Sequence, residues 1–126
     1  MSDIRLICLD MDGTLLDDDH ATVPPRNVAA LRAAAERGAA VTIASGRAWS
    51  LLRAVDAQIG VTRYAVLSNG AAVLDVATGA WIYRRPMDPA ARRTILTLLL
   101  DWGLPFEVYC EGENYIQADR TEQVVG

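Results

Sequence analysis
The chain has 126 residues, 52% of them hydrophobic and 22% charged, a globular balance sized for about one domain that buries roughly two-thirds of its unfolded surface. The net charge is -4 and the arginines stand singly or in pairs (Arg84-Arg85, Arg92-Arg93), so a nucleic-acid-binding face is excluded, and no apolar run reaches transmembrane length. Asp3 and Arg5 break any signal-peptide pattern, Cys8 and Cys110 have no metal-ligand spacing, and the expectation is a cytoplasmic protein with reduced thiols.

Residues 4–9 (Ile4-Arg5-Leu6-Ile7-Cys8-Leu9) read as a nearly continuous apolar strand, the pattern of a strand covered on both faces. Arg5 falls at its entrance, and Cys8 is expected to be a small core residue. Asp10-Met11-Asp12-Gly13-Thr14 follows at once. Two carboxylates at i, i+2 beyond a buried strand lie where an open α/β sheet forms its crevice. One can attack as nucleophile while the other moves the proton. Gly13 frees the backbone to turn, and the Thr14 hydroxyl can hold the turn. The plain alternative is an acidic surface turn, since Asp-Gly is a common turn dipeptide. Asp17-Asp18-Asp19 reads better as a solvated loop than as a metal site, and His20, the single histidine, has no partner spacing and receives no role.

Pro24-Pro25 introduces a helix over 26–37 with Val28, Leu31 and Ala35 on one face, closed by Gly38. A second buried strand over 39–44 ends at Ser45-Gly46-Arg47. A second helix over 48–59 is expected to turn Leu51, Leu52, Val55 and Ile59 to the core, and Gly60 ends it. A third strand over 64–68 runs into Asn69-Gly70. The β-α-β-α-β order implies parallel strands with right-handed crossovers, which puts the loops beginning at Asp10, Ser45 and Asn69 on one sheet edge.

Beyond Gly70, residues 71–75 and 81–84 read as a hairpin around Ala77-Thr78-Gly79. Asp88-Pro89 caps a third helix over 90–101, ended by Gly103 and Pro105. Strands over 106–109 and 114–118 are joined at Glu111-Gly112-Glu113. The parallel pattern stops near Pro86, so the expected organisation is a Rossmann-like α/β core over 1–85, itself incomplete, and the start of an α+β cap domain over 86–126.

A phosphoryl-transfer site needs an in-line nucleophile, a proton donor, a cation and donors for the equatorial oxygens. Asp10 is assigned as nucleophile and Asp12 as general acid, then base. Ser45 and the backbone N–H groups around Gly46, near a helix N-terminus, can hold phosphate oxygens. Arg47 either adds positive charge beside the substrate or lies on the helix surface, and Asn69 either offers an amide or makes a plain Asn-Gly turn.

The run Asp10-Met11-Asp12-Gly13-Thr14 resembles the first motif (DxDGT) of the haloacid dehalogenase-like phosphohydrolases. Val41-Thr42-Ile43-Ala44-Ser45-Gly46-Arg47 is similar to the second motif, and Tyr64 to Ala71 resembles the strand and Asn-Gly-Ala loop of the Cof-like subgroup, whose cap is inserted after the second motif. The resemblance implies a Mg²⁺-dependent phosphatase of small phosphorylated metabolites, commonly sugar phosphates, with the metal on the Asp10 side chain, the Asp12 carbonyl and an acid from a fourth motif. Thr14, Ser45, Gly46, Arg47 and Asn69 would line the phosphate site. It also implies a third-motif lysine and a Gly-Asp acid motif. All 12 basic residues are arginines and the chain has no Gly-Asp dipeptide, so the expectation is the N-terminal part of a longer protein, inactive alone. A homodimer that covers the uncompleted surfaces is a further expectation. Two other functions compete: a non-catalytic phosphate- or Mg²⁺-binding module on the same scaffold, and a phosphomutase.

Overall fold
The computed structural model describes residues 4–117. The elements are β1 (Leu6–Leu9), α1 (Pro25–Glu36), β2 (Ala40–Ala44), α2 (Trp49–Ile59), β3 (Thr62–Leu67), β4 (Ala72–Asp75), β5 (Ala80–Arg84), α3 (Pro89–Asp101), β6 (Glu107–Cys110) and β7 (Glu113–Ile116). The last strand therefore stops at Ile116, and the expected strand residue Ala118 lies outside the described residues. Strands β1 to β5 form one sheet in sequence order, and β6 and β7 form a separate antiparallel pair. The first three strands are parallel, while β3–β4 and β4–β5 are antiparallel. The α/β class and the parallel β-α-β-α-β unit are as the sequence implied.

Helices α1 and α2 are linked by Arg32, whose Nε donates to the Ile59 carbonyl at 2.9 Å and whose Nη2 donates to Gln58 O at 3.1 Å. A guanidinium on the last carbonyls of α2 also suits the negative end of its dipole. Leu31 of α1 and Leu52, Val55 and Ile59 of α2 are buried with Val41, Ile43, Ala65 and Leu67 of the sheet. Burying a leucine such as Leu52 is worth about 1.5–3 kcal/mol. Leu51 does not join them: it is 44% exposed, whereas Leu52 is fully buried. Consecutive helical residues are a hundred degrees apart on the helix, so the core takes one and leaves the other outside.

The first strand departs further from expectation. β1 pairs with β2 alone among the described strands, so it lies at the sheet edge. Its side chains alternate: Ile7 and Leu9 are half-buried, while Leu6 is 57% exposed and Cys8 is exposed. An apolar run reads as buried on both faces, but here one face of β1 is open and Cys8 is a surface thiol.

Helix α3 opens as expected, with the Asp88 carboxylate accepting from the N–H groups of Ala90 and Ala91 at 3.0 Å each. It buries none of its residues, and Ile95, Leu98 and Leu100 stay exposed. No helix of the described residues is long and apolar enough to cross a membrane.

Candidate active site
The aspartate pair is set by the residue between them. Met11 is fully buried, and its carbonyl accepts the N–H groups of Thr14, Leu15 and Leu16 at 3.3, 3.0 and 3.0 Å. Anchoring Met11 in the core leaves Asp10 and Asp12 exposed on either side of it. Gly13 has φ +74°, a left-handed conformation that glycine adopts without a Cβ penalty, as the sequence required. The turn is closed by these backbone bonds; among the described residues the Thr14 hydroxyl takes no part in it.

The second loop is locked to the third. Ser45 is buried, donates its N–H to Val66 O at 2.9 Å, and its Oγ accepts the Arg47 N–H at 3.1 Å. With a lone pair so used, the Ser45 O–H proton is free to donate to a phosphate oxygen. Ser68 donates its N–H to Arg47 O at 3.2 Å and Asn69 to Ser45 O at 3.3 Å. Ser68 and Asn69 both have positive φ, 49° and 54°, an uncommon pair of left-handed non-glycine residues. That bend brings the Asn69 amide over Gly46, where an added Cβ would meet Asn69 Oδ1 at 2.9 Å. A side chain at Gly46 would make the Asn69 amide turn aside.

These loops border an open cleft of about 340 Å³ lined by Asp10, Ala44, Ser45, Gly46, Val66, Asn69 and Gly70. It sits at the C-terminal ends of β1, β2 and β3, as the topology demands. Asp12 is absent from its lining. Its carboxylate is instead gripped by Arg47, Nε to Oδ2 at 3.1 Å and Nη2 to Oδ1 at 2.5 Å, and His20 Nδ1 approaches Oδ1 at 3.1 Å. The hydrogen bond from Arg47 holds the Asp12 carboxyl below the usual carboxylate range, burial opposes this, and His20 supports it. Arg47 thus lies neither free on the helix surface nor in the cleft lining; it is bound to Asp12.

The structure places Asp10, Ser45, Gly46 and Asn69, which the sequence expected on one sheet edge, around one cleft, ties Arg47 to Asp12, and leaves the Thr14 hydroxyl out of the turn among the described residues. Sequence reasoning missed His20. The signal available was Asp19 followed by Thr22, the spacing of a side-chain-closed turn. Asp19 accepts from the Ala21 and Thr22 N–H groups at 2.9 and 2.7 Å and from the Thr22 hydroxyl, contacts that pull its carboxyl down to about 2. Among the described residues no group of three or more His, Cys, Asp or Glu is placed to hold a metal ion, so the acidic triplet builds a loop.

A second, larger cavity of about 730 Å³ opens between the main sheet and α3, lined by Trp49, Trp81, Met87, Ile95, Leu99 and Phe106 among others. Its walls are largely apolar, with Arg84, Arg85, Arg92, Glu107 and Glu111 among them, and neither Asp10 nor Asp12 lines it.

A family model described as haloacid dehalogenase-like hydrolase matches residues 7–125. The chain is 42% identical over 71 residues to an HMP-PP phosphatase of Serratia proteamaculans, an alignment covering 56% of this chain and 26% of that one. It is 30% identical over 119 residues to Phosphatase YwpJ of Bacillus subtilis, covering 94% of this chain and 41% of the relative. A solved haloacid dehalogenase-like hydrolase from B. subtilis superposes with a TM-score of 0.84 at 29% identity, over 97% of this chain and 42% of that structure. The chain thus spans between a quarter and a half of the length of each of these relatives.

Proposed function
Because the chain belongs to the haloacid dehalogenase-like hydrolases, of the Cof type, we propose that it carries the nucleophile of a Mg²⁺-dependent phosphatase. The substrates would be small phosphorylated metabolites, sugar phosphates among them. The supporting observation is the pocket in which Asp10 shares a sheet edge with Ser45, Gly46 and Asn69. That is a nucleophile beside hydrogen-bond donors at a helix N-terminus, the constellation that phosphate oxygens call for.

In this reading an Asp10 carboxylate oxygen attacks phosphorus, the bond from phosphorus to the leaving oxygen breaks, and Asp12 gives that oxygen its proton. Water then attacks the aspartyl-phosphate, passes its proton to Asp12, and Asp10 is released with inorganic phosphate. Held by Arg47, Asp12 is a carboxylate, ready for the base step. For the acid step it must loosen from Arg47, and a phosphate dianion in the adjoining pocket competes for that guanidinium.

The donors fit Mg²⁺ in kind. They are oxygens, and this ion is commonly held by one or two carboxylates with water and substrate phosphate completing the shell. Asp10 and the Asp12 carbonyl would hold it, and it would offset negative charge on the transferring group. In the same reading residues 1–85 belong to the catalytic core and 86–126 open an inserted cap, the break between the five-stranded and two-stranded sheets supporting that division.

The test is hydrolysis of an aryl phosphate, with and without Mg²⁺, by the complete open reading frame that contains this chain and by its Asp10→Asn variant. The reading expects metal-dependent turnover that Asp10→Asn abolishes. Phosphate or Mg²⁺ binding without turnover would replace it with a non-catalytic module.

A further inference from the structure
We propose that His20 is a positioning residue for Asp12, holding its carboxylate in place while Arg47 engages the substrate phosphate. This rests on the phosphatase reading above. His20 Nδ1 lies 3.1 Å from Asp12 Oδ1, across eight residues of chain. A carboxylate oxygen only accepts, so the neutral imidazole facing it carries its proton on Nδ1. The ring is 68% exposed, so it gains little from burial, and among the described residues its one side-chain hydrogen bond is with Asp12.

The loop that delivers His20 is built for the purpose. Asp17 and Thr22 close it, with the Asp17 N–H on Thr22 O at 2.9 Å, and the His20 N–H reaches Asp17 O at 3.0 Å. The Asp19 carboxylate ties down Ala21 and Thr22. Gln58 of α2 clamps the far side, donating to Ala21 O at 2.8 Å and accepting the Val23 N–H at 3.0 Å. His20 itself sits at φ +55°, in the left-handed region that histidine, like asparagine and aspartate, enters more readily than other non-glycine residues. Arg47 Nη2 adds a bond to the His20 carbonyl at 3.0 Å.

The division of labour follows from charge. With the imidazole neutral, Arg47 is the one cation on Asp12 among the described residues, and a neighbouring phosphate would draw it away. A neutral Nδ1–H has no such pull and keeps its bond to Oδ1. Without it, Asp12 would be free to rotate at the moment its proton is needed.

Two measurements on the complete open reading frame test this. The first is ¹⁵N NMR of the imidazole at about pH 8, where histidine is ordinarily neutral. The Nδ1–H tautomer is expected, with a shift toward Nε2–H in Asp12→Ala. The second compares His20→Ala and His20→Asn on an alkyl phosphate and on p-nitrophenyl phosphate, whose leaving group needs little protonation. His20→Ala is expected to lower kcat on the alkyl ester about ten- to hundred-fold, to cost less on the nitrophenyl ester, and to leave KM nearly unchanged. Asn places an N–H near the Nδ1 position and tolerates positive φ, so His20→Asn should restore most of the rate. An Nε2–H tautomer indifferent to Asp12→Ala would overturn the proposal, as would equal losses on both esters or an asparagine variant no better than alanine. If the parent turns over neither ester, the phosphatase reading fails and the tautomer alone decides whether His20 holds Asp12.

Discussion

At the scale of single residues, the site depends on who holds Asp12 and what fits beside Gly46. Replacing Arg47 by methionine removes the hydrogen bond that holds Asp12 down, so the Asp12 pKa should rise toward its ordinary 3.8, read by ¹³C NMR titration of the carboxyl. The sign for stability follows. A depressed carboxylate stabilises the fold above its unfolded pKa and loses that contribution as pH falls through the folded value. Since Asp12 is 42% exposed, the ion pair contributes at most about 1 kcal/mol. Gly46→Ala would meet only the end of the exposed Asn69 side chain, which can turn aside, so it should cost no more than about 0.5 kcal/mol in denaturant unfolding. The aspartate spacing, the glycine after it and the Ser45 loop were readable in the sequence because each is local. The partners of Asp12 were not. The His20 contact needs a left-handed residue in the middle of a loop, and the Arg47 contact spans 35 positions.

At the scale of elements, periodicity placed the helices and strands to within a residue or two, and erred where a pattern has two solutions. Leu51 and Leu52 both suit an apolar face, yet geometry admits one. Leu52→Ala should therefore cost about 2–5 kcal/mol, while Leu51→Ala should stay near the small values typical of surface changes. Comparable losses from the two would contradict the packing of α2. The loop between β1 and α1 has its own pH signature. Asp19, pulled to about 2 from 3.8, supports the loop above about pH 4, and that support fades as pH falls toward 2. Faster hydrogen exchange at Ala21 and Thr22 over that window is the expected observation, and protection unchanged down to pH 2 would oppose it.

At the scale of the whole chain, the sheet has an open flank among the described strands. β1 is unpaired on one side among the described strands, and Ile4 and Leu6 stand 64% and 57% exposed beside that edge. Apolar side chains next to free backbone donors and acceptors are a template for strand addition. This 126-residue chain is expected to self-associate in a concentration-dependent way in sedimentation velocity, and Leu6→Lys to weaken that association. A monomer at all concentrations would count against it. Composition could not reveal the open flank, because an apolar strand reads the same whether neighbours cover it or not. The α/β class and the common edge of the three loops were legible, since alternation of strand and helix fixes both.

The measurement that bears most directly on the whole account is the trapping of a phosphorylated carboxylate. The complete open reading frame is mixed with a phosphate ester, quenched in acid, reduced with borohydride and digested, and the peptides are read by mass spectrometry. An acyl phosphate on Asp10 would leave homoserine at position 10, and the account predicts that product there and nowhere else, with none in Asp10→Asn. Turnover with position 10 still aspartate, or reduction at a different carboxylate, would contradict the assignment of Asp10 as nucleophile.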